Sequence, residues 1–306
     1  MCRARGRANI TATVHTIDTL DPGVARRETL LVEGFSMAAT ATELTLSLVA
    51  SALSRPILEG EVTPRDIKLR AQPAESIDNV SRRMVNVEYD IGEMSFATFI
   101  LARRTGVPVI GLPFFTSGRN FQQRTFTLAP HTQIDDLSGL RGRRVGTPQY
   151  WLSTSVWQRW ILEEIHGVAP TEIEWVTTDP ERFELVPFPP GVHVRRDTTG
   201  RSIREMMQAG DLDASLATPG VPQVPGETRR PAYPDPLAAQ RAFYERTGIF
   251  PTNHIVVIKE DVVRDDPWVI ESLGEAFVSA CRSQGAWDGP LSVEDLFPAS
   301  LPATLR

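Results

Sequence analysis

Apolar and polar positions along this chain follow two periods that change places repeatedly from residue 42 onward. A leucine repeat of period two, Leu44, Leu46 and Leu48, predicts a strand over Glu43–Val49. A short helix is expected over Ser51–Glu59, and Asp66–Arg70 alternates as a second strand. Ile77, Val80, Met84 and Val87 recur at helical spacing, which predicts an amphipathic helix over Glu75–Val87. A short strand then opens at Tyr89–Ile91, and Ser95–Arg103 reads as a helix. Val107–Phe115 is an apolar run broken by prolines and suits a buried strand, and Arg124–Leu128 predicts a strand that leaves this unit.

A second unit follows. Strands are expected at Arg144–Thr147, Glu172–Thr177 and Leu212–Ala217, with helices over Ser153–His166 and Ile203–Gln208. A proline-rich segment, Pro219–Pro236, carries the chain back to a strand over His254–Lys259 and an amphipathic helix over Asp266–Arg282. The pattern is α/β. Residues 41–125 and 220–285 are expected to form one discontinuous lobe and 126–219 the other, with crossings near 116–130 and 217–236. Two such lobes place a ligand cleft between them. Residues 1–40 have weak periodicity and read either as a poorly ordered extension, with Met37 a candidate start, or as an arm packed on the domain. Residues 286–306 lack a helical period and form an atypical tail.

Composition narrows the partners. A chain of 306 residues with 41% hydrophobic residues can bury one large core or two smaller ones. A formal charge of −6 argues against nucleic acid, yet local arginines can still hold a small anion. Cys2 and Cys281 have no metal-ligand spacing, and no Gly-rich phosphate loop is present. No apolar run approaches the ~18 residues of a membrane span, so no membrane insertion is expected. The N-terminal segment lacks the continuous apolar core of a secretory signal, and a cytoplasmic location is the expectation. Association into a homo-oligomer is compatible with the sequence.

The stretch Tyr244–Lys259 carries the sharpest chemical signal. A Thr247-Gly248 turn leads into Phe250-Pro251, and His254 then opens a run of β-branched residues. An imidazole at the mouth of a buried strand has two readings: a core histidine satisfied by a backbone partner, or a proton donor and acceptor at a pocket floor.

Several segments together resemble the 4,5-dihydroxyphthalate decarboxylase family. They are Tyr89-Asp-Ile-Gly-Glu-Met-Ser95, Leu140-Arg-Gly-Arg-Arg-Val-Gly-Thr-Pro-Gln-Tyr150 with Thr154-Ser-Val-Trp157, Val168–Val176, Leu185–Gly191, Met206–Ala214 and Arg246-Thr-Gly-Ile-Phe-Pro-Thr-Asn-His254. The resemblance spans roughly residues 43–283. It implies the two-lobed α/β fold of type 2 periplasmic solute-binding proteins and a cofactor-independent decarboxylation of a hydroxylated aromatic acid. The substrate phenol is then the electron source, and neither a metal nor an organic cofactor is expected. Two departures stand out. Gln122-Gln123 occupies a place where the family would carry an Arg-His pair, and the chain after Cys281 does not follow the family.

Within that frame His254 is the first choice for proton transfer and Glu93 its partner, with a helix-start carboxylate as the other reading of Glu93. Arg119 and Arg124 flank the first crossing and could clamp a carboxylate through paired N–H groups, or serve as hinge arginines. Ser95 reads as a ligand donor or a helix cap. Gln149, Tyr150, Ser153 and Thr154 stand where a strand turns into a helix whose free N–H groups attract anions, or where Ser153 simply caps. His131, His166 and His193 are expected to be solvated. The competing function is that of a solute-binding protein presenting an anionic or aromatic ligand to a transporter; an inactive relative, suggested by the altered C-terminus, is a third.

Overall fold

In the computed structural model the described residues are 41–116, 121–216 and 230–283, so the expected N-terminal extension and C-terminal tail lie outside them. The first lobe opens with β1 (Thr42–Val49), α1 (Arg55–Leu58), β2 (Ile67–Ala74), α2 (Ile77–Val85), β3 (Ile91–Ser95), α3 (Phe96–Arg104) and β4 (Val109–Leu112). The second contains β5 (Phe126–Leu128), β6 (Arg144–Thr147), α4 (Ser153–His166), β7 (Glu174–Thr177), β8 (His193–Arg196), α5 (Ile203–Ala209), β9 (Ala214–Leu216), β10 (Arg230–Pro231) and α6 (Pro236–Thr247). The chain then returns through β11 (His254–Lys259), α7 (Glu260–Asp265) and α8 (Val269–Ser283).

Each lobe is built on one mixed sheet. The first runs β2-β1-β3-β11-β4, with β1 parallel to β2 and β3, and β11 antiparallel to both β3 and β4. The leucine repeat of β1 sends Leu44, Leu46 and Leu48 into a core shared with Ile57, Val256, Leu273 and Phe277. On the other face α2 lies against β3, and Gly92 permits that approach: a Cβ there would meet Met84 Sδ at 2.4 Å. The second sheet runs β10-β5-β9-β6-β7-β8 around Tyr150, Ile161, Trp175 and Phe126. This is the two-lobed α/β architecture that the resemblance implies.

The return path differs from the expectation. β10 pairs with β5, and Phe243 of α6 is buried in the second lobe's core, so the segment after residue 230 remains with that lobe through α6. The chain goes back only after Gly248. Prolines concealed a two-residue strand, and α6 buries little beyond Gln240 and Phe243, which leaves its apolar period faint. Its boundaries were nonetheless written in the sequence: the Asp235 carboxylate caps Leu237 and Ala238 N–H, Pro236 starts the helix, and Gly248 closes it in a left-handed conformation. β8 also escaped prediction, because as a largely exposed edge strand it carries no apolar alternation.

Truncating Phe243 tests where α6 belongs. Phe243→Ala should lower stability by about 3–5 kcal/mol, since a buried aromatic is lost from a packed core. Urea denaturation measures this, and a loss near that of an exposed aromatic would contradict the placement.

Candidate active site

Glu93 sits on β3, a central strand of the first sheet between β1 and β11, and is only 1% exposed. The helix-start reading of this residue is therefore wrong, because β3 extends through Ser95 before α3 begins. A buried carboxylate needs donors on both oxygens. Oε1 accepts from His254 Nδ1 at 2.7 Å and from Thr116 Oγ1 at 2.6 Å, while Oε2 accepts the Val49 N–H at 2.8 Å. Strand register explains the pair. His254 stands opposite Ser95 and Val256 opposite Glu93 on antiparallel strands, so His254 and Glu93 are diagonal neighbours on one face. With Nδ1–H directed at the carboxylate, Nε2 is the ring nitrogen left for other chemistry. The His254 side chain is 24% exposed while Glu93 is sealed, so the ring reaches outward from a fixed base.

Ser95, across from His254, joins a cluster of hydroxyls where the lobes meet. Its Oγ lies 2.9 Å from Ser153 Oγ of α4, and Thr98 Oγ1 donates to it at 3.3 Å. Neither serine caps its own helix by side chain. Instead Ser153 Oγ accepts the Ala97 N–H at 2.8 Å, capping α3 from the opposite lobe. Trp157, one turn further along α4, donates its Nε1–H to the Thr252 carbonyl at 2.8 Å, two residues before His254. Arg182, which nothing in the sequence singled out, spans the same junction. Its guanidinium donates to Thr98 Oγ1 at 2.6 Å and pairs with Asp78 of α2, so its charge is already matched.

The strand-to-helix turn before α4 behaves differently from expectation. Its N–H groups attract an anion, but the anion is the protein's own Glu181, which accepts from Tyr150 N–H at 2.5 Å and Trp151 N–H at 3.2 Å. Burial pushes the Glu181 carboxyl above its ordinary value despite those bonds. Tyr150 is a core residue: its ring packs against Trp151, Trp175 and Phe188, and the Arg159 guanidinium lies 3.6 Å over its face. Burial drops that guanidinium to about 10. Gln149 is spent on the Pro180 carbonyl at 2.6 Å, and Thr154 is half-buried beside Ser153. The fold brings together His254, Glu93, Ser95 and Ser153, and leaves Gln149 and Tyr150 in a separate network.

Arg124 lies in a 3-10 turn ahead of β5 and is exposed, and Arg119 falls outside the described residues. Gln122 and Gln123 are both buried at the first crossing, where the Gln122 carbonyl accepts from Thr125 Oγ1 at 2.6 Å. His166 is not solvated: it bonds Tyr233 Oη at 2.7 Å, and burial lowers its pKa. Among the described residues no group of three His, Cys, Asp or Glu side chains could hold a metal ion, and no helix is long and apolar enough to cross a membrane.

No family model matches the chain. Among characterised proteins it is 29% identical over 236 residues to the 4,5-dihydroxyphthalate decarboxylase of Comamonas testosteroni, covering 73% of this chain and 70% of that one. It is also 29% identical over 203 residues to the 4,5-dihydroxyphthalate decarboxylase of Pseudomonas putida, covering 62% of this chain and 76% of that one. The chain is similar to 4,5-dihydroxyphthalate decarboxylases. The resemblance read from its motifs is thus supported by identity over most of its length. Solved structures with a related outline include the periplasmic aliphatic sulphonate binding protein SsuA of Escherichia coli, 13% identical over 79% of this chain and 70% of that one, with a TM-score of 0.45. Another is the alkanesulfonate-binding protein SsuA of Xanthomonas axonopodis pv. citri, 11% identical over 79% and 74% of the two chains, at 0.46.

The decarboxylase-like chain gives Ser153 a role that can be measured. Ser153→Ala should strip the Ala97 N–H of its partner at the start of α3 and cost about 0.5–2 kcal/mol, the usual value of a lost helix cap. Thermal melts compared with Thr154→Ala decide it; equal melting of the two variants would mean that the cross-lobe cap contributes nothing.

Proposed function

We propose that this protein is a carboxy-lyase that releases CO2 from a hydroxylated aromatic carboxylic acid without a cofactor, with 4,5-dihydroxyphthalate as the model substrate and protocatechuate as product. One observation carries the reading: a buried carboxylate, fixed by three donors, orients an imidazole whose Nε2 meets no hydrogen-bond partner among the described residues, in a chain similar to 4,5-dihydroxyphthalate decarboxylases. The reaction asks for little more. The ring carbon bearing the departing carboxylate takes a proton while the hydroxyl para to it loses or shares its own. The carbon–carboxylate bond then breaks, CO2 leaves, and the bonding pair returns to the ring and restores aromaticity. His254 Nε2 is the group assigned to deliver that proton, which remains on the ring as the product's new C–H bond, and the imidazole is reprotonated from solvent after CO2 leaves; Glu93 holds the imidazole in tautomer and direction. Ser95 and Ser153, which satisfy each other across the lobes, are candidates to turn toward a substrate oxygen. Thr154 is a lesser candidate on the same helix.

The retained carboxylate needs a cation, and Arg119 is our assignment for it. Arg182 is matched to Asp78, and Arg124 is exposed on its turn. Arg119→Ala should weaken binding of a phthalate-type dicarboxylate by roughly 1.5–3 kcal/mol, with Arg119→Lys in between, because only the guanidinium offers a bidentate fork. Calorimetry of substrate binding reads the difference. Arg124→Ala serves as the control, and an unchanged affinity in Arg119→Ala would remove that residue from the site.

Incubation with 4,5-dihydroxyphthalate and measurement of released CO2 tests the activity itself. His254→Gln should bind substrate yet lose about 10²–10⁴ in turnover, the usual worth of a general acid or base. Turnover close to wild type would return His254 to the role of a core histidine. Tight, reversible binding by the wild type without any CO2 would favour a solute-binding protein instead.

A further inference from the structure

We propose that Thr116 is a positioning residue for the His254–Glu93 pair, holding the carboxylate in the rotation that presents Oε1 to the imidazole. The inference rests on the decarboxylase reading above for its catalytic consequence, and on geometry alone for the contact. Thr116 follows β4 at the root of the first crossing and is 5% exposed. Its backbone neighbourhood is anchored. The Phe114 carbonyl accepts the Val256 N–H of β11 at 3.0 Å, and the Phe114 ring stacks on Phe277 of α8 with centroids 4.7 Å apart. Two residues on, the hydroxyl is delivered to Glu93 Oε1 at 2.6 Å, the same oxygen that receives His254 Nδ1 at 2.7 Å.

That sharing determines the carboxylate's freedom. The terminal torsion of a glutamate is broad and roughly two-fold, so a single donor does not fix it. Here Val49 N–H takes Oε2 and Thr116 takes Oε1, and the two bracket the group from separate elements, β1 and the segment after β4. The plane of the carboxylate is thereby set before His254 bonds to it. Without the threonine hydroxyl, Glu93 keeps one backbone donor and the imidazole, and the imidazole is no longer presented with a fixed acceptor. The ring direction, and with it the aim of Nε2, loosens. Thr116 touches neither reacting atoms nor substrate in this account; it acts through Glu93.

The test compares Thr116→Val and Thr116→Ala, which remove the hydroxyl with and without the branched shape, against Thr116→Ser, which keeps it. Steady-state CO2 release from 4,5-dihydroxyphthalate should show kcat lowered about 10- to 100-fold in the first two, as for a lost hydrogen bond to a charged group, with little change in KM. Thr116→Ser should restore most of the rate. A second readout is the imidazole nitrogen spectrum of protein labelled in histidine, with the His254 signals assigned by their loss in His254→Gln. The Nδ1 signal should move in the valine and alanine variants and stay in the serine variant. Wild-type kcat with an unmoved signal in Thr116→Val overturns the proposal, as does a loss of rate that serine fails to restore. If the wild type itself releases no CO2, or His254→Gln turns over normally, the decarboxylase reading fails, and the nitrogen spectra still decide whether Thr116 sets the ring.

Discussion

Among the described residues of the first lobe, one buried carboxylate organises its neighbours. Glu93 occupies a strand with neighbours on both sides, where an apolar side chain would be the ordinary choice. Leaving such a group without partners costs several kcal/mol, so the surrounding elements must each bring a donor. They do so from three separate places: the last residue of β1, the segment after β4 and the first residue of β11. The residue that makes β3 awkward as a core strand is thus the one that ties the ends of its neighbours together. Local rules broken at a single buried position, with the cost met by several partners, mark a position kept for something other than stability.

The same place is where the chain passes between lobes. Thr116 is the last described residue before the first crossing, and His254 is the first residue of the strand after the return. Trp157 of the second lobe bonds the Thr252 carbonyl, and the Asn253 carbonyl receives the Phe96 N–H of α3. Ser153 adds a cap to α3 from across the junction, and Arg182 adds a charged clasp to α2. The carboxylate–imidazole pair thus stands beside the roots of both crossings. The second lobe, by contrast, supplies its own anion, Glu181, to the N–H groups at the start of α4.

Much of the fold was legible in the sequence. The period-two leucines of β1, the helical stripe of α2 and the β-branched run of β11 each pointed to the element found, and the order of elements foretold two α/β lobes. His254 and Glu93 were legible as candidates because a titratable group beside a strand is conspicuous by its chemistry. Where periodicity was faint the reading failed: β10 is two residues long, β8 is an exposed edge, and α6 buries little, so the return to the first lobe was placed too early.

What the sequence by itself determined is therefore the alternation of elements and the chemical identity of the residues at strand ends, since both follow from local period and residue type. Which of those residues meet was decided only by tertiary structure. The bond between Glu93 and His254 depends on antiparallel register between strands 161 positions apart in the chain. The donors Val49 and Thr116 carry no local mark of their role, because a backbone N–H or a threonine hydroxyl looks the same wherever it points. The diversion of Ser153 from its own helix to α3, and of Glu181 to the start of α4, likewise follows from packing at long range. Hydrogen-bond partners are chosen by proximity in space, and a period along the chain holds no information about that proximity beyond a few turns of helix or one strand.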